Sequence, residues 1–242
     1  MIIPPEMVYA VIHYPVVRYD FPAIIRHCLG GFELDWLDAN VPMATRETDQ
    51  KTRWHQLFYK AETAWWPLYR SFISEFIAPL FQEPFFFQAI PTFRVHLRAN
   101  KAVGEYHRDS DYGHPDGTVN FWLPLTIARS SNSIWIDDGD QPRSVTAYPG
   151  DLIVFDAVHR RHGNEINVTG RTRVSMDFRC LPVRLYRDTA ARSVNMGLRF
   201  APGEYYEAVP AGEQSELAEL RGSIKRMLKE VSRKKHRFGW FG

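Results

Sequence analysis

The sequence predicts an α+β protein, an antiparallel sandwich or jelly-roll barrel buttressed by helices. Two observations carry this expectation. Before Pro84 apolar residues recur every three or four positions, the spacing of a helix face; after it they alternate with polar residues, the spacing of strands. The strand runs are short and separated by tight turns, which favours antiparallel pairing over a parallel sheet.

Taken in order, residues 9–17 are rich in aromatic and β-branched side chains and read as a strand broken by Pro15. A short helix over residues 21–29 is closed by Gly30 and Gly31. Residues 32–51 are irregular and polar, a solvated connection or a lid. Trp65, Tyr69, Phe72, Ile73, Phe76, Ile77 and Leu80 form one broad face of a core helix that Pro79 and Pro84 end. Next, Phe93, Val95 and Leu97 alternate with Arg94, His96 and Arg98, and Val119, Phe121 and Leu123 with Asn120 and Trp122. Ile134 and Ile136 alternate with Trp135 and Asp137, and runs at 144–148 and 151–155 flank a Pro149-Gly150 turn. In residues 172–181, Val174, Met176, Phe178 and Cys180 oppose Arg173, Ser175, Asp177 and Arg179, so one face is apolar and the other polar. Leu217, Leu220, Ile224, Leu228 and Val231 then stand at helical spacing before a basic cluster at 233–237 that reads as a solvated tail. The expected organisation is one domain over residues 1–242: a helical buttress about 18–84, a β core about 85–183 and a C-terminal helix about 213–232.

Composition narrows the class. With 242 residues, 45% hydrophobic and 24% charged, the chain matches an ordinary globular protein. A net charge of +2 gives no electrostatic argument for nucleic acid, and no apolar run approaches a membrane span. Cys28 and Cys180 make no disulfide framework and the N-terminus lacks a secretory pattern, so a cytoplasmic location is expected. Asn167-Val168-Thr169 matches a glycosylation sequon, read as coincidental.

The chemistry gathers in GEYHRDSDYGHPDG, residues 104–117. In an extended strand His107 and Asp109 project to the same side, and an imidazole with a carboxylate is two-thirds of a facial metal triad. For the third ligand, FDAVHRRHGNEINVTGRTRVSMDFR offers two histidines, His159 and His162. The blocks YHRDSDYGHPDGTVNFWLPLT, NSIWI and HGNEINVTGRTRVSMDFR, within residues 91–182, resemble the Fe(II)/2-oxoglutarate-dependent oxygenases of the double-stranded β-helix (cupin-like) fold. The likeness is to the phytanoyl-CoA-hydroxylase-like branch, and within it to StrG-type oxygenases of aminoglycoside clusters and to bacterial Kdo hydroxylases.

That resemblance implies His107, Asp109 and His162 as the catalytic ligands of Fe(II), with 2-oxoglutarate and O2 as co-substrates. It implies Arg173 as the partner of the far carboxylate of 2-oxoglutarate, assisted by Ser175. Arg171 shares the strand face of Arg173, and the Arg-x-Ser pairing favours Arg173. By strand face, Asn120 is a further co-substrate contact and Trp122 a pocket wall. Tyr106, Asp111, Tyr112, His114 and Trp135, with Trp122, are the candidate substrate contacts, since sugars pack on aromatic rings. Arg94 and Arg98 suit an anionic group. Glu105, Asp111, Asp116, Asp137, Asp138 and Asp140 suggest an acidic rim suited to a cationic small molecule. The expected activity is hydroxylation or other oxidation of a carbohydrate-like aminoglycoside or aminocyclitol in natural-product biosynthesis. A Kdo-type sugar hydroxylase is the alternative enzyme, and a non-catalytic sugar-binding jelly roll the alternative from another class.

Overall fold

In a computed structural model, which describes residue 4 and residues 6–37, 48–101 and 105–209, helices lie against two antiparallel sheets. The first strand β1 (Ala10–His13) precedes α1 (Phe21–Cys28), α2 (Arg53–Lys60) and α3 (Glu62–Ser71). The strands that follow are β2 (Phe85–Gln88), β3 (Thr92–His96), β4 (Val119–Pro124), β5 (Ile134–Asp137), β6 (Pro142–Ser144), β7 (Asp151–Phe155), β8 (His162–Asn164), β9 (Arg173–Pro182) and β10 (Tyr206–Ala208). The C-terminal helix and basic tail expected beyond residue 212, and residues 38–47 of the lid candidate, fall outside the described residues.

The larger sheet has the order β1-β7-β4-β9-β2-β10, with β3 also paired to β9; the smaller is β6-β5-β8. Among the described strands these ladders stay separate, so the expected sandwich or jelly-roll barrel is seen as two antiparallel sheets and not as a closed barrel. The long strand β9 is the spine: β4 runs along one edge, and β3 and then β2 share the other.

All ten residues of β9 are buried, which explains its two-faced pattern. Val174, Met176, Phe178 and Cys180 join a core with Phe121 and Leu123 of β4 and with Trp65, Tyr69 and Phe72 of the helical layer. Phe178 stacks on Phe121 at a centroid separation of 5.0 Å and meets Tyr69 edge-on at 5.5 Å. On the opposite face Trp122, Ile153 and Phe155 pack against Ile134 and Ile136 of the smaller sheet, filling one end of the space between the sheets. The polar residues of β9 occupy the rest of that space.

The helices follow their sequence signals with some differences. Asp20 caps α1 by accepting from the Ala23 backbone N–H at 2.9 Å, and Gly30 and Gly31 take left-handed φ values of 85° and 81° just beyond its end. The predicted core helix is α3 continued by a π segment (Phe72–Ile77) and a 3-10 turn (Ala78–Leu80), with Pro67 inside α3. The helix α2 was not foreseen: its buried Trp54, His55 and Phe58 span barely one turn, too short a pattern to register alone. The strand expected at 144–148 is instead β6, ending at Ser144, with only Ala147 bridging to Ala128 beyond it.

Replacing Phe178 with alanine should cost about 3–5 kcal/mol of stability, because it empties the contact between sheet and helices. A urea-unfolding midpoint within error of the parent would contradict this packing.

Candidate metal centre and adjoining cavities

His107 and His162 lie directly opposite one another across an antiparallel bridge that widens the smaller sheet. Each donates its backbone N–H to the other's carbonyl at 2.9 Å, fixing both side chains on the same sheet face. Arg108 is extended, so Asp109 returns to the side of His107; Asp109 itself opens a 3-10 turn (Asp109–Tyr112) and donates its N–H to the Ala157 carbonyl at 2.8 Å. Gly113, with φ 79°, ends that turn in a left-handed conformation that disfavours side chains.

The three side chains converge. Asp109 Oδ1 is 3.6 Å from His107 Nε2 and 3.7 Å from His162 Nε2, and the three candidate ligand atoms lie within 4.8 Å of one another. His107 Nδ1 stands 2.6 Å from the Glu105 carbonyl and His162 Nδ1 3.0 Å from that of Arg160. A carbonyl accepts only a proton, so each Nδ1 carries the hydrogen and each Nε2 keeps its lone pair for a cation. Two neutral imidazoles and one carboxylate form a donor set that fits a divalent transition metal. Burial alone would raise Asp109, yet the Arg179 guanidinium beside it holds its carboxyl well below the usual range. Burial pushes His162 down to about 4, keeping it neutral.

Two cavities flank this group. The smaller is lined by His162, Arg173, Asn120, Trp122 and Asn164, among others. Arg173 is 1% exposed; its Nε donates to the Asn132 carbonyl at 3.0 Å, Nη1 to Ser175 Oγ at 2.7 Å and Nη2 to Asn164 Oδ1 at 2.7 Å. Its guanidinium carbon is 5.6 Å from the centroid of the Trp122 ring. Arg171 is exposed instead and stacks on Trp36 at 4.7 Å, so burial separates two arginines that strand alternation could not. Asn120 Oδ1 is buried without a hydrogen-bond partner, a polar atom aimed at this cavity.

The larger cavity is lined by Glu105, Tyr112, His114, Gln88, Tyr205 and a rim at residues 193–196. Tyr112 lies 5.0 Å from the His107 ring, and His114 packs 4.4 Å from Phe200. Arg94, His107 and Arg179 border both cavities, so the metal group sits at their junction.

Other expected residues are elsewhere. Tyr106 donates to Glu165 at 2.8 Å under the Arg161 guanidinium, and borders neither cavity. Asp111 accepts the Arg108 backbone N–H at 2.8 Å and serves the local turn. Trp135 pairs with Gly163 on the outer face, whereas Ile134 and Ile136 face inward. Of the acidic rim only Glu105 joins Asp109 at these two cavities. His159 is exposed and tied to Asp156 at 2.8 Å, leaving His162 as the histidine at the centre. The sequon asparagine, Asn167, is fully buried with Nδ2 donating to the carbonyls of His96 and Arg171. Sequence reading missed Asn164, Asp177 and Arg179; the alternation of β9 was the signal for the last two, but gave them no partner.

A His-Asp-His group at the junction of two cavities, between two antiparallel sheets, defines a candidate mononuclear metal protein. No protein-family model matches the chain. The streptomycin biosynthesis protein StrG of Streptomyces griseus is 41% identical over 201 residues, covering 83% of this chain and 98% of StrG. The chain belongs to the StrG family, which extends to most of its length the resemblance seen in residues 91–182. Among solved structures, the nickel complex of the non-heme monooxygenase ThoJ has a TM-score of 0.48 at 14% identity, over 93% of this chain and 96% of its own. The alpha-ketoglutarate-dependent carbocyclase SnoK from nogalamycin biosynthesis gives 0.49 at 13%, over 85% and 93%. HygX from Streptomyces hygroscopicus, with nickel and 2-oxoglutarate bound, gives 0.47 at 11%, over 84% and 94%. Among the described residues no helix is long and apolar enough to cross a membrane.

Two histidines away from the metal group set a pH dependence. Burial, reinforced by the charge of Arg94, holds His55 down at about 4; burial, reinforced by Arg173, holds His96 down at about 3. In the unfolded chain both titrate near 6.5, so below that pH the unfolded state binds protons that the folded state refuses. Stability should therefore be whole above about pH 6.5 and fall as pH drops toward 4. Urea midpoints of the metal-free protein at pH 7, 6 and 5 should decrease in that order; a rise would contradict neutral burial of both rings.

Proposed function

We propose that this protein is an Fe(II)- and 2-oxoglutarate-dependent oxygenase, one domain of double-stranded β-helix type whose two sheets are the halves of a jelly roll. The observation that carries the reading is the convergence of His107, Asp109 and His162 beside the buried Arg173. The three side chains would hold the iron through His107 Nε2, His162 Nε2 and Asp109 Oδ1. With 2-oxoglutarate and O2, iron supplies an oxidant able to take hydrogen from an unactivated carbon.

The chain's own residues do the rest. Arg173 has the planar, permanently charged fork that matches a carboxylate. Ser175 Oγ accepts from Arg173 Nη1, which leaves its own O–H to donate to the same carboxylate. The Asn120 amide supplies a further polar contact, while Trp122, Ile134 and Phe155 exclude water from the smaller cavity. In the larger cavity Tyr112, His114 and Tyr205 offer aromatic surface for the C–H face of a sugar, and Glu105 offers a carboxylate for an ammonium. The StrG relative, named for streptomycin biosynthesis, supports an aminoglycoside or aminocyclitol intermediate as substrate. Arg94 in the same cavity supports the second reading, an acidic sugar of the Kdo type.

Anaerobic addition of Fe(II) and 2-oxoglutarate should produce the visible charge-transfer band of a chelated complex, and His107→Ala or His162→Ala should abolish it. A folded, metal-retaining protein without the band would sink the proposal. Arg173→Gln should weaken 2-oxoglutarate binding roughly 10- to 100-fold, the value of a charged hydrogen-bond pair, without loss of metal. Arg171→Gln should leave it unchanged. Succinate release stimulated by an aminocyclitol selects the first substrate reading, and stimulation by a free acidic sugar the second. Succinate release coupled to either substrate excludes the non-catalytic sugar-binding class.

A further inference from the structure

Between the cavities runs a buried chain of four charges. Arg179 donates Nε and Nη2, both at 3.1 Å, to one oxygen of Asp109, Oδ2. The same arginine donates Nη1 to Asp177 Oδ2, and Asp177 Oδ1 accepts from Arg94 Nε at 2.6 Å. The side chains are 7% exposed for Arg179, 2% for Asp109, 4% for Asp177 and 21% for Arg94, so solvent screens this chain little. Strand geometry makes it possible: Asp177 and Arg179 are two residues apart on one face of β9, and Arg94 reaches Asp177 from the paired strand β3.

The two oxygens of Asp109 are thereby divided. Oδ1 faces both imidazoles, and Oδ2 is held by two charge-assisted donors from a single guanidinium. We propose that Arg179 is a positioning residue that restricts Asp109 to one metal-facing oxygen, with Asp177 and Arg94 fixing the orientation of its guanidinium. A carboxylate free to use both oxygens takes up a further position on the ion, one that an exchangeable ligand would otherwise occupy. Arg179 keeps that position available, and does so without touching the co-substrate's far carboxylate. This inference rests on the metal reading given above.

The test uses Co(II) alone as a probe, then 2-oxoglutarate, in the absence of O2. Arg179→Gln should bind Co(II) at least as tightly as the parent, with an altered visible absorption envelope. It should also lose about tenfold or more in 2-oxoglutarate affinity, the scale of effect of groups that orient metal ligands. Arg179→Lys, which retains one charged donor to Oδ2, should recover most of both properties. A Co(II) spectrum and a 2-oxoglutarate affinity identical to the parent's would overturn the proposal, leaving Arg179 as a charge balance alone. Loss of Co(II) binding from a folded Arg179→Gln protein would overturn it equally, since the arginine would then be needed to present the ligand at all. Should the single variant fail to fold, Asp177→Asn with Arg179→Gln keeps one arginine and one aspartate, balanced as the parent chain is, and the same two readouts apply. His107→Ala separates the two levels: undiminished Co(II) binding by that variant refutes the metal site itself, whatever Arg179 does.

Discussion

A carboxylate that is 2% exposed cannot stay ionised without compensation, and the interior around Asp109 is arranged to provide it. Removing an ion from water costs several kcal/mol, recovered only where the partner is close, well oriented and itself satisfied. Arg179 meets the first two conditions, and Asp177 and Arg94 extend the compensation outward from it. The consequence is that β9 must carry charge on a face that a sandwich would normally fill with aliphatic side chains. The apolar packing of Trp122, Ile153 and Phe155 therefore fills only one end of the space between the sheets. Replacing either partner would strand the other's charge, which ties the fold's integrity to the site's electrostatics.

Much of this was legible in the sequence, in different ways. Alternation in β9 reported two distinct environments correctly, because period-two patterning survives whether the polar face meets water or a buried cavity. It could not say which, and so Asp177 and Arg179 read as ordinary polar residues until the partner from residue 109 was seen. The strand β8, His162–Asn164, carries no hydrophobic signal at all, since its two inward side chains are polar. His162 was legible only through the spacing of a family pattern. Tyr106, Asp111 and Trp135 lie off the two cavities for one reason: closeness along the chain to His107 or to a cavity-lining strand is not closeness in space. Tyr106 precedes His107 by one residue and so points to the other side.

The junction of the two cavities gives the site its logic. One cavity is small, bordered by Arg173, Ser175's partner, and by neutral amides; the other is wider, aromatic and bounded by the 193–196 rim. The group at the junction is reached from both sides, so the two compartments can differ in selectivity while sharing one reactive centre. Residues from β3, β4, β5, β7, β8 and β9 line the first, whereas the second shares only Arg94, His107 and Arg179 with it and draws on the chain after β9. Variation in that later segment can reshape the wider cavity without disturbing the narrower.

The central position of β9 also bears on how the chain is made. Among the described strands, β1 pairs with β7, β3 with β9, β4 with β7 and β9, and β2 with β9 and β10. Every strand that emerges before residue 130 thus waits for a partner beyond residue 150, and only the β5–β6 hairpin closes early. Pairings so distant in sequence are slow to form and leave apolar edges exposed meanwhile. On the ribosome the nascent chain therefore carries a helical layer whose sheet does not yet exist, and the strand bearing Arg173 and Arg179 joins β2, β3 and β4 late, before β10 and the 193–196 rim are added.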